Sequence, residues 1–347
     1  MSRNLKIGIF ITVAVVFTTF TFYFWQMAQT PNFQVSKDKD FALLIPTGAT
    51  YQSVLDTLKK NEVVNDEISF RFMAKLLKLP ERIKPGRYVL RRDMGNLEAI
   101  KKLRNGAQDA VRLTFNNIRL KEDLIQRVGS KFEFGPEALG KLLNDPAVCQ
   151  KFGFDTTNVS SMFLPNTYEI FWTTPVDKFL GRMHDEYQKF WTPARLEKAK
   201  ALGYTKAEVS VLASIVDAET NRNDEMPRIA GVYLNRIRQS MPLQADPTVI
   251  FAWRDFSIKR VTGRLSALNS PYNTYRVLGL PPGPINVPST VAIDAVLNAE
   301  EHNYLYFCVK IDPEGKLMGY HDFAVTYDDH LLNARKYQEA LNKMNIK

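Results

Sequence analysis

The sequence predicts an α+β protein with a single N-terminal transmembrane helix, a small α+β subdomain and a larger mixed α/β region. Residues 7–25 carry no charge and are mostly Ile, Val, Phe and Thr, enough as a helix to span nearly all of a ~30 Å hydrocarbon core. Residues 41–104 show two short apolar runs with two helical patterns between them, the order of a compact α+β module. Beyond residue 109 helical periodicity is interspersed with short strand patterns. The length of 347 residues fits two domains or more, and the 45% hydrophobic share is ordinary for a chain with a sizeable core.

Arg3 and Lys6 precede the apolar run, so the positive-inside rule assigns residues 1–6 to the cytoplasm and 7–26 to the membrane. Tyr23 and Trp25 stand at its outer end, as interface aromatics do. The competing reading is a cleaved signal peptide, which would have a shorter apolar segment of about 7 to 15 residues and a small-x-small site. Residues 28–30 match that site poorly, so a retained anchor is favoured. Everything that follows is then outside the cytoplasm. Residues 27–40 read as a polar stalk. Residues 41–45 form a strand ending at Pro46-Thr47-Gly48, 50–60 a helix with Val54, Leu55 and Leu58 inward, and 68–79 a second helix. Pro85-Gly86 turns the chain into a strand at 87–90, and 96–104 is another amphipathic helix. No acid/base cluster stands out in this module, 41–108, which leaves binding, positioning or a purely structural role.

Residues 109–120 look like one more strand, ending in Asn116-Asn117, and helices follow at 121–131, 136–143 and 175–190. The aromatic-rich stretch 163–172 could line a sugar groove, although a strand packed into a core is the commoner outcome. Thr205 and Glu208 form a capping-box pair that starts a helix near Lys206. On a helical wheel Leu212, Ile215, Val216 and Glu219 share one face, with Asp217 pointing well away. A carboxylate on a core stripe raises its pKa and holds its proton, as a general acid must. The plainer alternative is that Glu219 closes the helix at a domain edge, or pairs with Arg222 or Arg236.

A second helix begins at Pro227, with Ile229, Val232, Tyr233 and Ile237 as its stripe. Polar loops follow at 243–248, 270–275 and 279–284, rigid segments that can fix polar side chains. Strands at 304–309 and 319–323 flank a turn at 312–315, and a last helix runs from 327 to 344. His184, His302, His321 and His330 show no metal-ligand spacing, and no phosphate-binding or dinucleotide-binding glycine motif is present. No metal and no cofactor are expected. Cys149 and Cys308 have no metal or nucleophile pattern and read as buried small apolar residues, whether or not they pair. The net charge of +9 fits an anionic partner. Nucleic acid is disfavoured, because the chain beyond the anchor would never meet it.

The blocks Val-Leu-Ala-Ser-Ile-Val-Asp-Ala-Glu-Thr at 211–220, Gly-Val-Tyr-Leu-Asn-Arg at 231–236, Leu-Gln-Ala-Asp-Pro-Thr at 243–248, Tyr-Asn-Thr-Tyr at 272–275, Gly-Leu-Pro-Pro-Gly-Pro-Ile at 279–285 and His-Asp-Phe at 321–323 occur in this order. Together they resemble the YceG-like endolytic murein transglycosylases. The resemblance runs from the anchor to the last helix, and implies a single-pass bacterial inner-membrane protein. A LysM-like subdomain at 41–108 and a catalytic region at 109–347, with core motifs at 205–330, would face the wall. It implies Glu219 as the catalytic acid. Asp217 stands where the family has Glu, a change of little weight if that position faces outward, and Asn166 where the family usually has Asp. The implied reaction cuts the MurNAc–GlcNAc bond within glycan strands, forms a 1,6-anhydro end and terminates nascent strands. Candidate substrate contacts are Asn235, Gln244, Asp246, Tyr272, Asn273 and Tyr275, although Asp246 also suits a turn before Pro247 and Asn235 a structural role. Partners implied are peptidoglycan glycan strands, the inner membrane and, as an open possibility, synthases of the elongation or division machinery. A hydrolytic muramidase and a non-catalytic wall-binding scaffold stay as alternatives.

Overall fold

The computed structural model describes residues 2–35, 40–116, 118–258, 261, 263–312, 314 and 316–343. The chain divides into two compact units. The first comprises Met1–Leu113, Lys131–Phe134 and Tyr168–Pro175. It begins with α1 (Arg3–Gln29), capped by the Ser2 hydroxyl, which is long and apolar enough to cross a membrane. Only its last turns pack: Ala28 belongs to the unit's core, with Phe24 and Met27 against it.

Residues 30–35 correct the expected stalk. Asn32 is buried and bonds through its amide to the Asp66 carbonyl and Asn96 Oδ1, while its own Oδ1 accepts the Asp66 N–H at 2.7 Å. Phe33 is 2% exposed and edge-on to Phe70. A polar stretch looks like a stalk when its asparagine is assigned to water; here that amide satisfies buried partners and ties the chain down. Residues 36–39 of the expected stalk lie outside the described residues.

The module then follows the expected strand–helix–helix–strand order: β1 (Phe41–Ile45), α2 (Tyr51–Lys60), α3 (Glu67–Leu76) and β2 (Gly86–Leu90). β1 and β2 pair antiparallel, Phe41 opposite Leu90 and Ile45 opposite Gly86. Alternation sends Leu43, Ile45, Tyr88 and Leu90 inward. A Thr50–Ser53 capping box starts α2, and Asp66 caps α3. α4 (Asn96–Asn105) closes on Gly106 in the left-handed region. β3 (Val111–Thr114) pairs with β4 (Thr167–Ile170). Asn117, at the end of the expected longer strand, is outside the described residues. The aromatic stretch resolves as a packed strand, with Phe163, Tyr168 and Ile170 buried.

The second unit spans Thr114–Ser130, Gly135–Thr167 and Val176–Lys347. Its helices are α5 (Lys121–Gly129), α6 (Gly135–Leu143), α7 (Pro146–Lys151), α8 (Val176–Phe190), α9 (Pro193–Leu202), α10 (Lys206–Glu219), α11 (Met226–Arg238), α12 (Asp246–Trp253), α13 (Gly263–Ser266) and α14 (Thr290–Leu297). An antiparallel hairpin, β5 (Tyr306–Ile311) and β6 (Leu317–Ala324), and α15 (Tyr327–Lys343) complete it. Pro313 and Gly315 of the expected turn, and Met344 of the expected last helix, lie outside the described residues. Helix and sheet are both present as expected, but every sheet among the described residues has two strands. The expected mixed α/β region, 109–347, is therefore mostly helical, with two small sheets of two strands each among the described residues.

α10 is the pillar of this unit. Every residue from Val209 to Val216 is buried, against α9, α11, α12 and α14. Ser214 is tolerated inside because its hydroxyl accepts the Ile285 N–H and donates to the Val211 carbonyl, while the Asn286 amide donates to the Ser214 carbonyl. The Pro-rich loop before α14 is thereby sewn to the pillar.

Candidate active site

The capping box forms as expected: Thr205 Oγ1 accepts the Glu208 N–H, and the Glu208 carboxylate accepts the Thr205 N–H at 2.8 Å. Counted from that cap, Glu219 is the last residue of α10, and Thr220 is already extended. It stands at the carbonyl end of the helix, where the backbone dipole disfavours a negative charge. Burial pushes its carboxyl up to about 7, helped by the charge of Asp246; a hydrogen bond from Tyr233 pulls the other way. That bond, Tyr233 Oη to Glu219 Oε1, is 2.6 Å. The second oxygen has no protein donor among the described residues.

Glu219, Tyr233, Arg236, Gln244, Asp246, Tyr275 and Tyr306 line one cavity of about 300 Å³. α11 delivers Tyr233 and, one turn on, Arg236. The Arg236 guanidinium lies 5.5 Å from the Tyr306 ring centroid and donates to Gln244 Oε1 at 2.5 Å. Its Nε has no partner among the described residues, and burial pulls its pKa down. Gln244 holds φ of +52°, an uncommon backbone state for a side-chain-bearing residue. It persists because the Gln244 N–H donates to the Thr274 carbonyl, the Ala245 N–H to Thr274 Oγ1, and Thr248 and Thr274 share a buried bond. Asp246 opens α12 and accepts from Tyr275 Oη at 2.5 Å. Burial raises the Asp246 carboxyl and the tyrosine bond lowers it.

A groove of about 410 Å³ continues past Glu219 to Asn221, Arg222, Tyr320 and His321. Arg222 lies over the Tyr320 ring at 4.7 Å. Neither Arg222 nor Arg236 forms an ion pair with Glu219 among the described residues, so the plain alternative of a paired carboxylate is not what the fold builds. The hairpin supplies the groove's other wall. His321 is fixed by Glu225, whose Oε1 accepts its backbone N–H at 2.8 Å and whose Oε2 accepts from Nδ1 at 2.7 Å.

Asp217 requires a correction. It does not face outward: its carboxyl accepts the Ser289 hydroxyl at 2.5 Å, and burial raises its pKa. The wheel assigned it to water because it assumed one apolar face, whereas Val209 to Val216 are all buried and the cap of α14, Ser289, meets the half-buried Asp217 side chain. The identity of this acid therefore affects packing, contrary to the expectation of little weight.

Of the expected substrate contacts, Gln244, Asp246 and Tyr275 share the cavity with Glu219. Asn235, Tyr272 and Asn273 do not line it. The Asn235 amide donates to the His302 and Tyr304 carbonyls. Asn273 is fully buried, its amide donating to the Ser266 and Leu268 carbonyls and its oxygen accepting the Tyr275 N–H. Tyr272 packs on Phe251, ring centroids 4.8 Å apart. Asn235 and Asn273 are thus anchors that hold the loops. Asn166 is exposed and its Oδ1 accepts the Thr167 N–H. The sequence reading missed Tyr233, Tyr306, Glu225 and His321. Tyr233 was readable: a tyrosine on a buried stripe needs a partner for its hydroxyl, and Glu219 was a carboxyl on the neighbouring helix.

The YceG-like family profile matches residues 43–336 of the chain. A Streptococcus pneumoniae D39 protein named endolytic murein transglycosylase is 27% identical over 323 residues, covering 84% of this chain and 57% of that protein. The chain thus spans little more than half the length of that relative. A Bacillus subtilis protein of the same name is 28% identical over 315 residues, covering 86% of this chain and 85% of that one. The crystal structure of a YceG-like protein from Listeria monocytogenes superposes with a TM-score of 0.55 at 22% identity, covering 85% of this chain and 99% of that one. That likeness speaks to the fold.

Proposed function

The chain belongs to the YceG-like family, and from that premise we propose that it is an endolytic murein transglycosylase that cuts the MurNAc–GlcNAc bond inside peptidoglycan strands. The observation that carries the reading is Glu219, a carboxyl pushed up to about 7 in an open groove and bonded by Tyr233 through one oxygen only. At neutral pH such a group is present in both forms, so it can give a proton and take one back. Glu219 protonates the bridging oxygen as the C1–O bond breaks. Its carboxylate then removes the proton from the MurNAc 6-hydroxyl, whose oxygen closes on C1 to give the 1,6-anhydro end. Asp246 and the tyrosine hydroxyls of the cavity offset charge on the oxocarbenium-like transition state. Space on both sides of Glu219 suits entry in mid-strand.

The apolar α1, preceded by Arg3 and Lys6, supports a single-pass inner-membrane protein with its N-terminus in the cytoplasm. The module at 41–108, with β1 against β2 and two helices between, supports a LysM-like glycan-positioning role. Held at the bilayer, the enzyme would cut nascent strands and end their elongation, beside the synthases that make them.

One observation favours a second reading. Asp246 is a second carboxyl in the same cavity, and two carboxyls are what a hydrolase uses. Its bond to Tyr275 argues for a fixed electrostatic role. Digestion of purified sacculi, with end groups read by mass spectrometry, separates the readings. Anhydro ends made by wild type and lost in Glu219→Gln support the transglycosylase. Reducing ends would make it a muramidase, and uncut strands a wall-binding scaffold.

A further inference from the structure

Beside the last turn of α10, next to Asp217 and Ala218, lies a cavity of about 560 Å³. Asn221 lines both this cavity and the groove of Glu219, so the two adjoin. Its floor is apolar, built from Ile250, Phe251 and Phe256. Its rim carries Arg119 and Arg127, with Asp123 between them in sequence.

The two arginines are unusual in having no assigned work. Asp123 and Arg127 are spaced i,i+4 on α5, where opposite charges ordinarily meet, yet they do not pair. Among the described residues neither Arg119 nor Arg127 has a carboxylate within ion-pair distance. The Arg119 guanidinium lies 4.8 Å over the Phe256 ring, which fixes its plane and leaves its N–H edge available for a forked contact. On the inner wall the Asn286 amide is held by the Ser214 carbonyl, which fixes that side of the cavity to α10. The cavity thus offers two cationic forks, one carboxyl, Asp123, without an ion-pair partner among the described residues, a second, Asp217, already bonded to Ser289, and apolar surface. A ligand to match carries carboxylates, amide N–H groups and short aliphatic side chains: an acidic peptide.

We propose that this cavity receives the acidic peptide borne by a muramyl residue next to the scissile bond, with Arg119 and Arg127 binding its carboxylates and Asp123 accepting an amide N–H group. The proposal rests on the transglycosylase reading and adds a substrate preference: peptide-bearing strands over stripped ones. No bond is made or broken in this cavity. Its effect is to hold the strand so that the neighbouring sugar linkage lies at Glu219.

The test uses full-length Glu219→Gln protein in detergent micelles. Isothermal titration compares a soluble peptidoglycan tetrasaccharide carrying its peptides with the same chain stripped by an amidase. The peptide-bearing chain is expected to bind about tenfold tighter, as two charge-assisted contacts allow. Adding Arg119→Gln and Arg127→Gln should erase that advantage and leave the stripped chain within twofold. A second titration needs no arginine variant: amidating the peptide carboxyls should erase the advantage in Glu219→Gln alone. Equal affinity for both chains, or an advantage that survives amidation, overturns the peptide site while stripped-chain binding keeps the transglycosylase reading alive. Absence of binding by either chain overturns both.

Discussion

Glu219 and Glu225 are separated by one short loop, one half-buried at the groove and the other buried, and the fold treats their carboxyls in opposite ways. Glu225 is 5% exposed, and both its oxygens are occupied: Oε1 by the His321 N–H, Oε2 by His321 Nδ1 and, at 3.4 Å, the Thr220 hydroxyl. Glu219 receives one bond, from Tyr233, and faces the charge of Asp246. A buried carboxylate with its acceptors filled is a strut that joins α11 to the hairpin. One with an acceptor unfilled is a group that holds a proton and can exchange it. On the transglycosylase reading, the number of donors is what separates the acid from the strut.

Exchanging each acid for a neutral residue should produce opposite losses. Glu219→Gln should lower the rate of anhydro-end release by about a thousandfold, the scale of a lost general acid. Its stability should respond in the opposite sense. A folded carboxyl raised from 4.5 to about 7 contributes stability that is fully present below pH 4.5 and is lost as pH rises through 7. The shift corresponds to roughly 3 kcal/mol at most. Glu219→Gln should therefore melt at or above the wild-type temperature at pH 8, and lose that advantage at pH 5. Glu225→Ala should do the reverse. Stranding His321 costs about 3 kcal/mol, read as a lower denaturant midpoint, because a buried, hydrogen-bonded pair has lost one partner. A Glu225→Ala protein as stable as wild type would mean that the strut is not one.

A finer comparison alters only the neighbours of Glu219. If Glu219 is the general acid, its protonated form is required in the free enzyme, and kcat/KM should fall as pH rises through about 7. Asp246→Asn removes a charge that raises the acid, and should move that limb to lower pH. Tyr233→Phe removes a bond that lowers it, and should move the limb to higher pH. Each displacement should be on the order of one pH unit. Displacements in the same direction would show that Glu219 is not the titrating group.

How much of this was legible follows from how each element is covered. The module at 41–108 declared itself: α2 and α3 bury one face each, start on Thr50 and Asp66, and lie between strands that alternate. The start of α10 was legible through its capping box, whereas its end at Glu219 stood only as the plainer alternative. What the wheel could not supply was the environment of Asp217, because its partner is Ser289, the cap of a helix far along the chain. Long-range partners were equally hidden. Glu225 looked like part of a polar loop until β6, nearly a hundred residues later, brought His321 to it. Asn32, Asn235 and Asn273 have the composition of loops or sugar contacts, and only the fold shows their amides closing backbone gaps.

The smallest expected effect sharpens the comparison by acting on α10 from its far end. Thr205 caps the helix through Glu208, about 20 Å of helix from Glu219 by rise per residue. Thr205→Ala should cost about 1 kcal/mol of global stability, as the loss of a side-chain cap does. It leaves Tyr233, Asp246 and the burial of Glu219 untouched, so the pH at which kcat/KM falls should not move. A shifted limb would mean that the acid's proton affinity depends on the integrity of the whole pillar. An unshifted limb with a lowered melting temperature assigns it to the contacts within the groove, since helix stability and proton affinity would then have been changed one without the other.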